Sequence, residues 1–118
     1  MTKRRLVLAA AAVAALVPAL ALAHHGWSDY DTAKPIKLTA PVTEVAWRNP
    51  HGAAKVRYQG RQWDVVLAPI GRMEDRGLTA AMLAPGAAVT LEGYARRDGV
   101  PEMRIERVSV AGKTVELR

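Results

Sequence analysis

The chain has 118 residues, 17 Lys and Arg against 11 Asp and Glu, a formal net charge of +6, and no cysteine. This length accommodates one small domain and excludes a nucleotide-binding α/β domain, for which a glycine-rich phosphate loop is also lacking. The absence of cysteine excludes disulfides, thiolate catalysis and Cys-ligated zinc or iron–sulfur sites, so the three histidines are the side-chain nitrogen ligands available to a metal.

Residues 1–23 have the pattern of a secretory signal peptide. A basic start at residues 1–5 precedes an uncharged run of Leu, Val and Ala at residues 6–17. Pro18 breaks this run, and Ala21-Leu22-Ala23 is a small-x-small cleavage motif. Residues 6–23 barely reach the length of a membrane-spanning helix, and the proline and the cleavage motif favour cleavage over a membrane span. We therefore expect an exported, periplasmic protein without a membrane span after processing.

The cleavage frame determines which residue becomes the amino terminus. A second motif, Ala19-Leu20-Ala21, offers a cut after Ala21, but the spacing from Pro18 favours a cut after Ala23. Removing 23 of the 118 residues leaves 95, beginning His24-His25-Gly26-Trp27. The three basic residues of the signal leave with it, so the formal net charge falls from +6 to +3.

The processed chain predicts a non-periodic N-terminal arm followed by β-strands. Residues 24–35 lack periodicity, and we expect Trp27 and Tyr30 to attach this arm to the domain. Period-two alternation predicts strands near residues 36–47, 55–58, 62–67, 89–93, 103–110 and 114–117. The odd spacing between Val42 and Val45 predicts a β-bulge in the first strand, and a similar phase slip falls between 105 and 108 in the fifth.

A helix is predicted between the third and fourth strands. Residues 73–83 are rich in helix formers, with Gly77 splitting them, and Ala84-Pro85-Gly86 ends the segment. Five or six strands with a helix at this point predict an all-β domain over residues 36–118. Its expected architecture is an OB-fold-like Greek-key barrel.

The histidines form the first candidate site. A free amine at His24 and the His24 ring can chelate one ion, to which His25 or His51 adds a second ring. An alternative mode uses the amine, the deprotonated His25 amide and the His25 ring. Both modes suit Cu(II) in tetragonal geometry, with Asp29 or Asp31 as an oxygen donor. The opposing interpretation is that the terminal histidines are solvated and that His51 hydrogen-bonds within its own loop.

A second candidate site is a ligand groove beside the loop at residues 47–52, because this loop borders the ligand face of OB-folds. The groove candidates are Trp47, Arg48, Asn49, Arg57 and Arg96. Their opposing interpretation is that Trp47 belongs to the core and Arg48 is solvated. Basic residues favour an anionic glycan, lipid or protein partner, whereas export argues against nucleic acid. Interleaved acidic residues are typical of a solvated surface.

Several segments carry a family resemblance: Ala23-His24-His25-Gly26-Trp27, Val45-Ala46-Trp47-Arg48-Asn49-Pro50-His51, Met73-Glu74-Asp75-Arg76-Gly77-Leu78-Thr79, Arg104-Ile105-Glu106-Arg107-Val108 and Gly112-Lys113-Thr114-Val115-Glu116-Leu117. They resemble a family of small exported proteobacterial proteins of unknown function, over nearly the whole processed chain. The resemblance implies an exported small domain and no particular activity. The positions that match its histidine motifs are His24, His25 and His51.

These observations lead us to expect a non-enzymatic periplasmic domain that binds a metal ion, copper, through His24, His25 and His51. Its role is sequestration or delivery, with a periplasmic protein as the partner. The alternative is a metal-free OB-fold binding module for an anionic glycan, lipid or protein. A copper oxidase-type enzyme is disfavoured because 95 residues leave little room for a buried substrate pocket.

Overall fold

Six strands form one mixed sheet in the computed structural model, which describes residues 26–118. The strands are β1 (Ile36–Ala46), β2 (Ala53–Tyr58), β3 (Arg61–Val66), β4 (Ala88–Ala95), β5 (Glu102–Val110) and β6 (Lys113–Glu116). Their order across the sheet is β3-β2-β1-β4-β5-β6, with antiparallel neighbours throughout. No helix within residues 26–118 is long and apolar enough to cross a membrane.

A short parallel pairing closes five of these strands into a barrel. Residues 64–66 of β3 pair in parallel with residues 102–104 of β5. The sixth strand, β6, extends the sheet from the other edge of β5. This closed five-stranded mixed barrel with an extra strand confirms the predicted mainly-β class and is compatible with an OB-fold-like architecture.

Alternate residues along the strands face the core, because successive side chains of a strand point to opposite faces of the sheet. On β3, Trp63 and Val65 are buried whereas Gln62 and Asp64 are exposed. No charged side chain within residues 26–118 is buried. The barrel is therefore held mainly by burial of apolar surface.

The two predicted irregularities are confirmed. The register of β1 against β2 shifts between Val42 and Glu44. The register of β5 against β4 shifts opposite residues 92–93, so that Ile105 and Val108 are both buried although their spacing is odd.

One short helix, α1 (Ile70–Asp75), connects β3 to β4. Its place in the strand order is as predicted, but the predicted bounds of 73–83 are wrong. The helix begins directly after Pro69. Proline has no backbone N–H, and none is needed at this position because the start of a helix donates no intrahelical hydrogen bond. The helix ends at Asp75, and Gly77, with a φ of +87°, follows it in a Schellman motif. Ala80–Leu83 forms only a 3-10 helix.

The helix packs over one end of the barrel and supports the β1–β2 loop. Met73 and Leu78 are fully buried. Gly52 lies so close to α1 that a Cβ added to it would be 2.6 Å from the Met73 Cε. Trp47 packs against the core, and its Nε1 donates a 3.1 Å hydrogen bond to Glu74 Oε1. The loop that carries His51 is thus tied to α1 on both sides of that residue.

The segment before β1 is attached to the barrel, as expected from its aromatic residues. Tyr30 is 1% exposed and forms a β-bridge with Arg96. The Trp27 ring lies edge-on to Tyr94, with 6.0 Å between ring centroids. The predicted signal peptide, residues 1–23, lies outside the described residues, and so do His24 and His25.

Candidate functional site

Two adjoining cavities flank the β1–β2 loop, which carries His51. The arm cavity, of about 410 Å³, lies between the N-terminal segment and the barrel; residues lining it include Gly26, Tyr30, His51, Glu102 and Arg104. The sheet cavity, of about 310 Å³, lies over β1, β2 and β3; residues lining it include Glu44, Arg48, His51, Lys55, Asp64 and Glu102. His51, Val66 and Glu102 line both cavities, so the two meet at these residues.

His51 is half-buried and oriented by its own loop. Its Nδ1 lies 3.0 Å from the carbonyl oxygen of Gly52. A carbonyl oxygen can only accept a hydrogen bond, so Nδ1 carries a proton; in the neutral ring Nε2 then has the lone pair. The predicted hydrogen bond within the loop is therefore present, and it leaves one ring nitrogen able to bind a metal.

Glu102 is the carboxylate that the two cavities share. Its Oε2 accepts a 2.7 Å hydrogen bond from the Tyr30 hydroxyl. The Arg96 Nη1 lies 3.4 Å from the same oxygen, but the guanidinium is bound more closely by Asp98, at 2.6 Å. Within residues 26–118 no hydrogen bond reaches Glu102 Oε1. Glu102 is thus anchored through one oxygen, Oε2.

Tyr30 acts as a neutral hydrogen-bond donor to this carboxylate. Its burial, and then its hydrogen bond to Glu102, raise the Tyr30 pKa well above the ordinary value of 10. At neutral pH the hydroxyl therefore keeps its proton and holds Glu102 in one orientation.

The Trp27 ring fixes the other side of the arm cavity. The guanidinium carbons of Arg104 and Arg118 lie 4.3 and 4.6 Å from its centroid. Cations over an indole ring are attracted by its negative face, so these contacts fix Trp27, the residue that follows Gly26. The cavity wall thus includes one cation, Arg104, beside the Glu102 carboxylate.

A ladder of charges crosses the sheet cavity. The Lys55 Nζ lies 3.8 Å from Glu44 Oε2 and 3.9 Å from Asp64 Oδ1, and the three residues are neighbours in register on β1, β2 and β3. Such exposed pairs contribute little to stability. With Glu102 and Arg48 the cavity has three carboxylates against two basic side chains, which gives no particular support to an anionic ligand there.

The sequence matches a known family over most of its length. Residues 10–103 match the profile of DUF6152, a family of unknown function. The chain belongs to this family. A comparison with curated proteins gives no match. Membership in a family of unknown function is thereby confirmed, and the range matched by DUF6152 includes His24, His25, His51 and Glu102.

The predicted groove residues are not brought together in either cavity of this DUF6152 protein. Arg48 lines the sheet cavity. Trp47 turns to the core and to α1, and Asn49 is exposed in the loop. Arg57 is exposed, and its Nη2 lies 3.4 Å from the Gly60 carbonyl oxygen on its own hairpin. Arg96 is engaged by carboxylates of the β4–β5 region.

The described part of the chain holds only a fraction of a metal site. Within residues 26–118 there is no group of three His, Cys, Asp or Glu side chains that could hold an ion. The expected oxygen donors Asp29 and Asp31 do not line the arm cavity, and Asp31 lies 3.9 Å from the basic groups of Lys34 and Arg97. A complete site therefore requires donors from residues before Gly26.

Glu102 is the site residue that sequence reasoning missed. It belongs to a series of acidic residues that alternate with basic ones, and nothing in the local pattern distinguishes it. One signal is available: in the predicted barrel the start of β5 pairs with the end of β3, next to the β1–β2 loop. That topological argument would have placed Glu102 beside His51.

Proposed function

We propose that this protein is an exported periplasmic domain that binds copper for sequestration or delivery. The proposed ligands are the amine and ring of His24, together with His25 or His51. The expected state is the processed chain that begins at His24. The protein is proposed to act as a binder and not as an enzyme.

One observation carries the proposal: Gly26 and His51 line the same cavity. In the sequence, His24 and His25 directly precede Gly26.

The chemistry of the donors also supports copper. The proposed set contains an amine and neutral imidazoles, and Cu(II) has the highest affinity among the common divalent ions for such nitrogen donors. The Gly52 carbonyl fixes the His51 ring in the tautomer that leaves Nε2 available. The contacts of Trp27 and Tyr30 fix the start of the described chain on the barrel, which supports a site assembled there.

The first experiment uses protein that has been exported and processed by a bacterium. One equivalent of Cu(II) is added and the native mass is recorded, which gives the N-terminus and the metal stoichiometry in one spectrum. We expect a chain that begins at His24 and retains one copper ion. A chain that begins at Leu22, or that retains no copper, contradicts the proposal and favours the metal-free binding module.

A second experiment tests the ligands by competition with a chelator. His51→Ala is expected to weaken Cu(II) binding by at least about tenfold, the lower end of the effect of losing an outer-shell partner. His24→Ala removes the proposed ring ligand of that residue and should lose affinity in the same way. Equal affinity of His51→Ala and the unaltered protein would exclude His51 as a ligand.

A further inference from the structure

We infer that the arm cavity binds a small zwitterion, a free amino acid with an apolar side chain, between Glu102 and Arg104. The Glu102 carboxylate accepts hydrogen bonds from the ammonium group of this ligand, and the Arg104 guanidinium donates to its carboxylate. The inference goes beyond the proposed function and does not rest on it, because neither residue is a proposed copper ligand.

The two opposite charges lie on one wall of the cavity because of their spacing on β5. Glu102 and Arg104 are two positions apart, so their side chains leave the same face of the strand, about 6.6 Å apart along it. Met103, between them, points to the opposite face and is buried. Both charged residues line the arm cavity. This wall therefore presents a negative and a positive group side by side.

Each of these charges is held by an aromatic residue of the segment before β1. The Tyr30 hydroxyl donates a 2.7 Å hydrogen bond to Glu102 Oε2. The guanidinium carbon of Arg104 lies 4.3 Å from the centroid of the Trp27 ring. These contacts restrict the rotamers of both charged side chains before a ligand arrives, which lowers the entropic cost of binding.

The contacts that hold the two groups are compatible with ligand binding. A carboxylate has about four lone-pair sites, so Glu102 can accept hydrogen bonds beyond those from Tyr30 and Arg96. A guanidinium has a planar fork of N–H donors that matches a carboxylate, and its contact with an indole ring does not use these donors. Glu102 and Arg104 thus supply the acceptor and the donor that the two charged ends of an amino acid require.

The balance of charge on this wall favours a zwitterion over a singly charged ligand. A ligand with only a carboxylate faces the like charge of Glu102, and a ligand with only an ammonium group faces that of Arg104. Like charges brought together on binding weaken affinity. An amino acid has both groups on one carbon atom, so it can pair with both side chains. The sheet cavity, with three carboxylates against two basic side chains, lacks this balance.

The rest of the arm cavity suits an apolar side chain. The apolar residues that line it include Pro50, Val66, Leu67 and Pro69. Its volume of about 410 Å³ lies towards the lower end of the range for small-molecule sites, about 300–1,000 Å³. Such sites combine apolar walls with a few polar groups that orient the ligand. The cavity therefore favours a small ligand such as leucine.

The test measures binding of leucine and two matched analogues by isothermal titration calorimetry, with exported and processed protein in EDTA. The chelator removes metal, so a copper–amino acid complex does not contribute. N-acetyl-leucine lacks the ammonium charge, and leucine amide lacks the carboxylate. We expect leucine to bind at least about tenfold more tightly than either analogue, because each analogue loses one charge-assisted contact. Methionine and phenylalanine are titrated as further apolar amino acids.

Variants of the two charged residues assign the site. Glu102→Gln should weaken leucine binding at least about tenfold but should not weaken N-acetyl-leucine binding, because that analogue lacks the group that Glu102 binds. Arg104→Gln should weaken leucine binding by a similar factor and should leave leucine amide binding at its original affinity or tighter. Glu44→Gln and Arg57→Gln are the matched controls, since neither residue lines the arm cavity, and both should bind leucine like the unaltered protein.

Thermal unfolding of each variant separates loss of a ligand contact from loss of structure. Glutamine at position 102 keeps an oxygen that can accept the Tyr30 hydrogen bond. Arg104→Lys keeps a cation beside Trp27 but lacks the planar fork, so it should bind leucine more weakly and still prefer leucine to leucine amide. Equal binding of leucine and leucine amide by a folded Arg104→Lys variant would contradict the role of this charge.

The possible contrary results are distinct. Undetectable binding of leucine, methionine and phenylalanine overturns the inference. Equal affinity for leucine and N-acetyl-leucine identifies an anion site, and equal affinity for leucine and leucine amide identifies a cation site; both also overturn it. Leucine binding that survives both Glu102→Gln and Arg104→Gln lies elsewhere on the protein, against the inference. Copper binding is measured separately by native mass, so these results leave the proposed function to its own test.

Discussion

Tyr30 and Glu102 are 72 positions apart in the chain and are joined by a 2.7 Å hydrogen bond from the tyrosine hydroxyl to Glu102 Oε2. The bond connects the segment before β1 to the first residue of β5. Tyr30 is 1% exposed, so this segment is part of the folded domain and not a loose extension.

Tyr30→Phe should lower the free energy of unfolding by about 1 kcal/mol at pH 7, because the partly exposed Glu102 can replace the lost donor with water. Tyr58→Phe is the control, since its hydroxyl only accepts a 3.3 Å hydrogen bond from an exposed glutamine. The folded-state pKa of Tyr30 is raised, so this stabilisation is fully present below the unfolded pKa of 10 and is lost as pH rises above it. Urea unfolding at pH 7 and above pH 10 measures both effects, and a difference that grows at high pH would contradict the assignment.

Asp98 gives a prediction for acid pH. Hydrogen bonds from the Arg96 guanidinium, and next from the Val100 amide, lower its pKa to about 2 from the ordinary 3.8. A lowered pKa means that the stabilisation is present above 3.8 and is lost as pH falls towards 2. Asp98→Asn should be less stable than the unaltered protein at pH 7, and urea midpoints of the two should converge below pH 3.8. A gap that stays constant on acidification would show that charge is not the cause.

Gly93 is required by a close approach of two strands. An added Cβ would lie 2.1 Å from the Arg104 carbonyl oxygen and 2.8 Å from the Ile105 Cα, neither of which can move without displacing β5. Gly93→Ala should therefore cost more than about 2 kcal/mol. Gly71→Ala is the matched control: it lies in α1 with nothing within 4 Å of the new Cβ, and it should stabilise by up to about 1 kcal/mol. Denaturant unfolding of the pair distinguishes a steric limit from a general effect of added methyl groups.

Met73 is expected to be the critical contact of α1. It is fully buried beneath Gly52, so Met73→Ala should leave a cavity and cost about 2–5 kcal/mol. Met82, in the same connection, is only partly buried, and Met82→Ala should cost clearly less. Equal losses in thermal unfolding would mean that α1 does not support the β1–β2 loop in the way described.

The strand pattern was predictable because it is local. Alternation identified all six strands to within a few residues, and the spacing of Val42 and Val45 located the bulge. The predicted helix began too late, at residue 73, because Gly71 is a poor helix former. In the structure, the packing of Ile70 and Met73 against the core outweighs this unfavourable propensity. Local propensity does not contain that tertiary contribution.

The candidate site was predictable only in part, for the same reason. The loop position of His51 follows from turn residues beside it, and the attachment of Trp27 and Tyr30 follows from their size and apolar surface. The place of Glu102 depends on the parallel pairing of β3 with β5, which joins residues distant in sequence. Single-residue patterns therefore favoured Asp29 and Asp31, which are close to His24 and His25 in sequence but do not line the arm cavity.

The three-residue pairing that closes the barrel has a consequence for the order of folding. It joins Asp64 to Glu102, 38 positions later, and α1 and β4 lie between them. Contacts of such separation carry a large loop-closure cost and form after the local hairpins. Glu102 therefore reaches the neighbourhood of His51 only when the barrel closes. The barrel should therefore fold without metal, and a chelator should leave its native state intact.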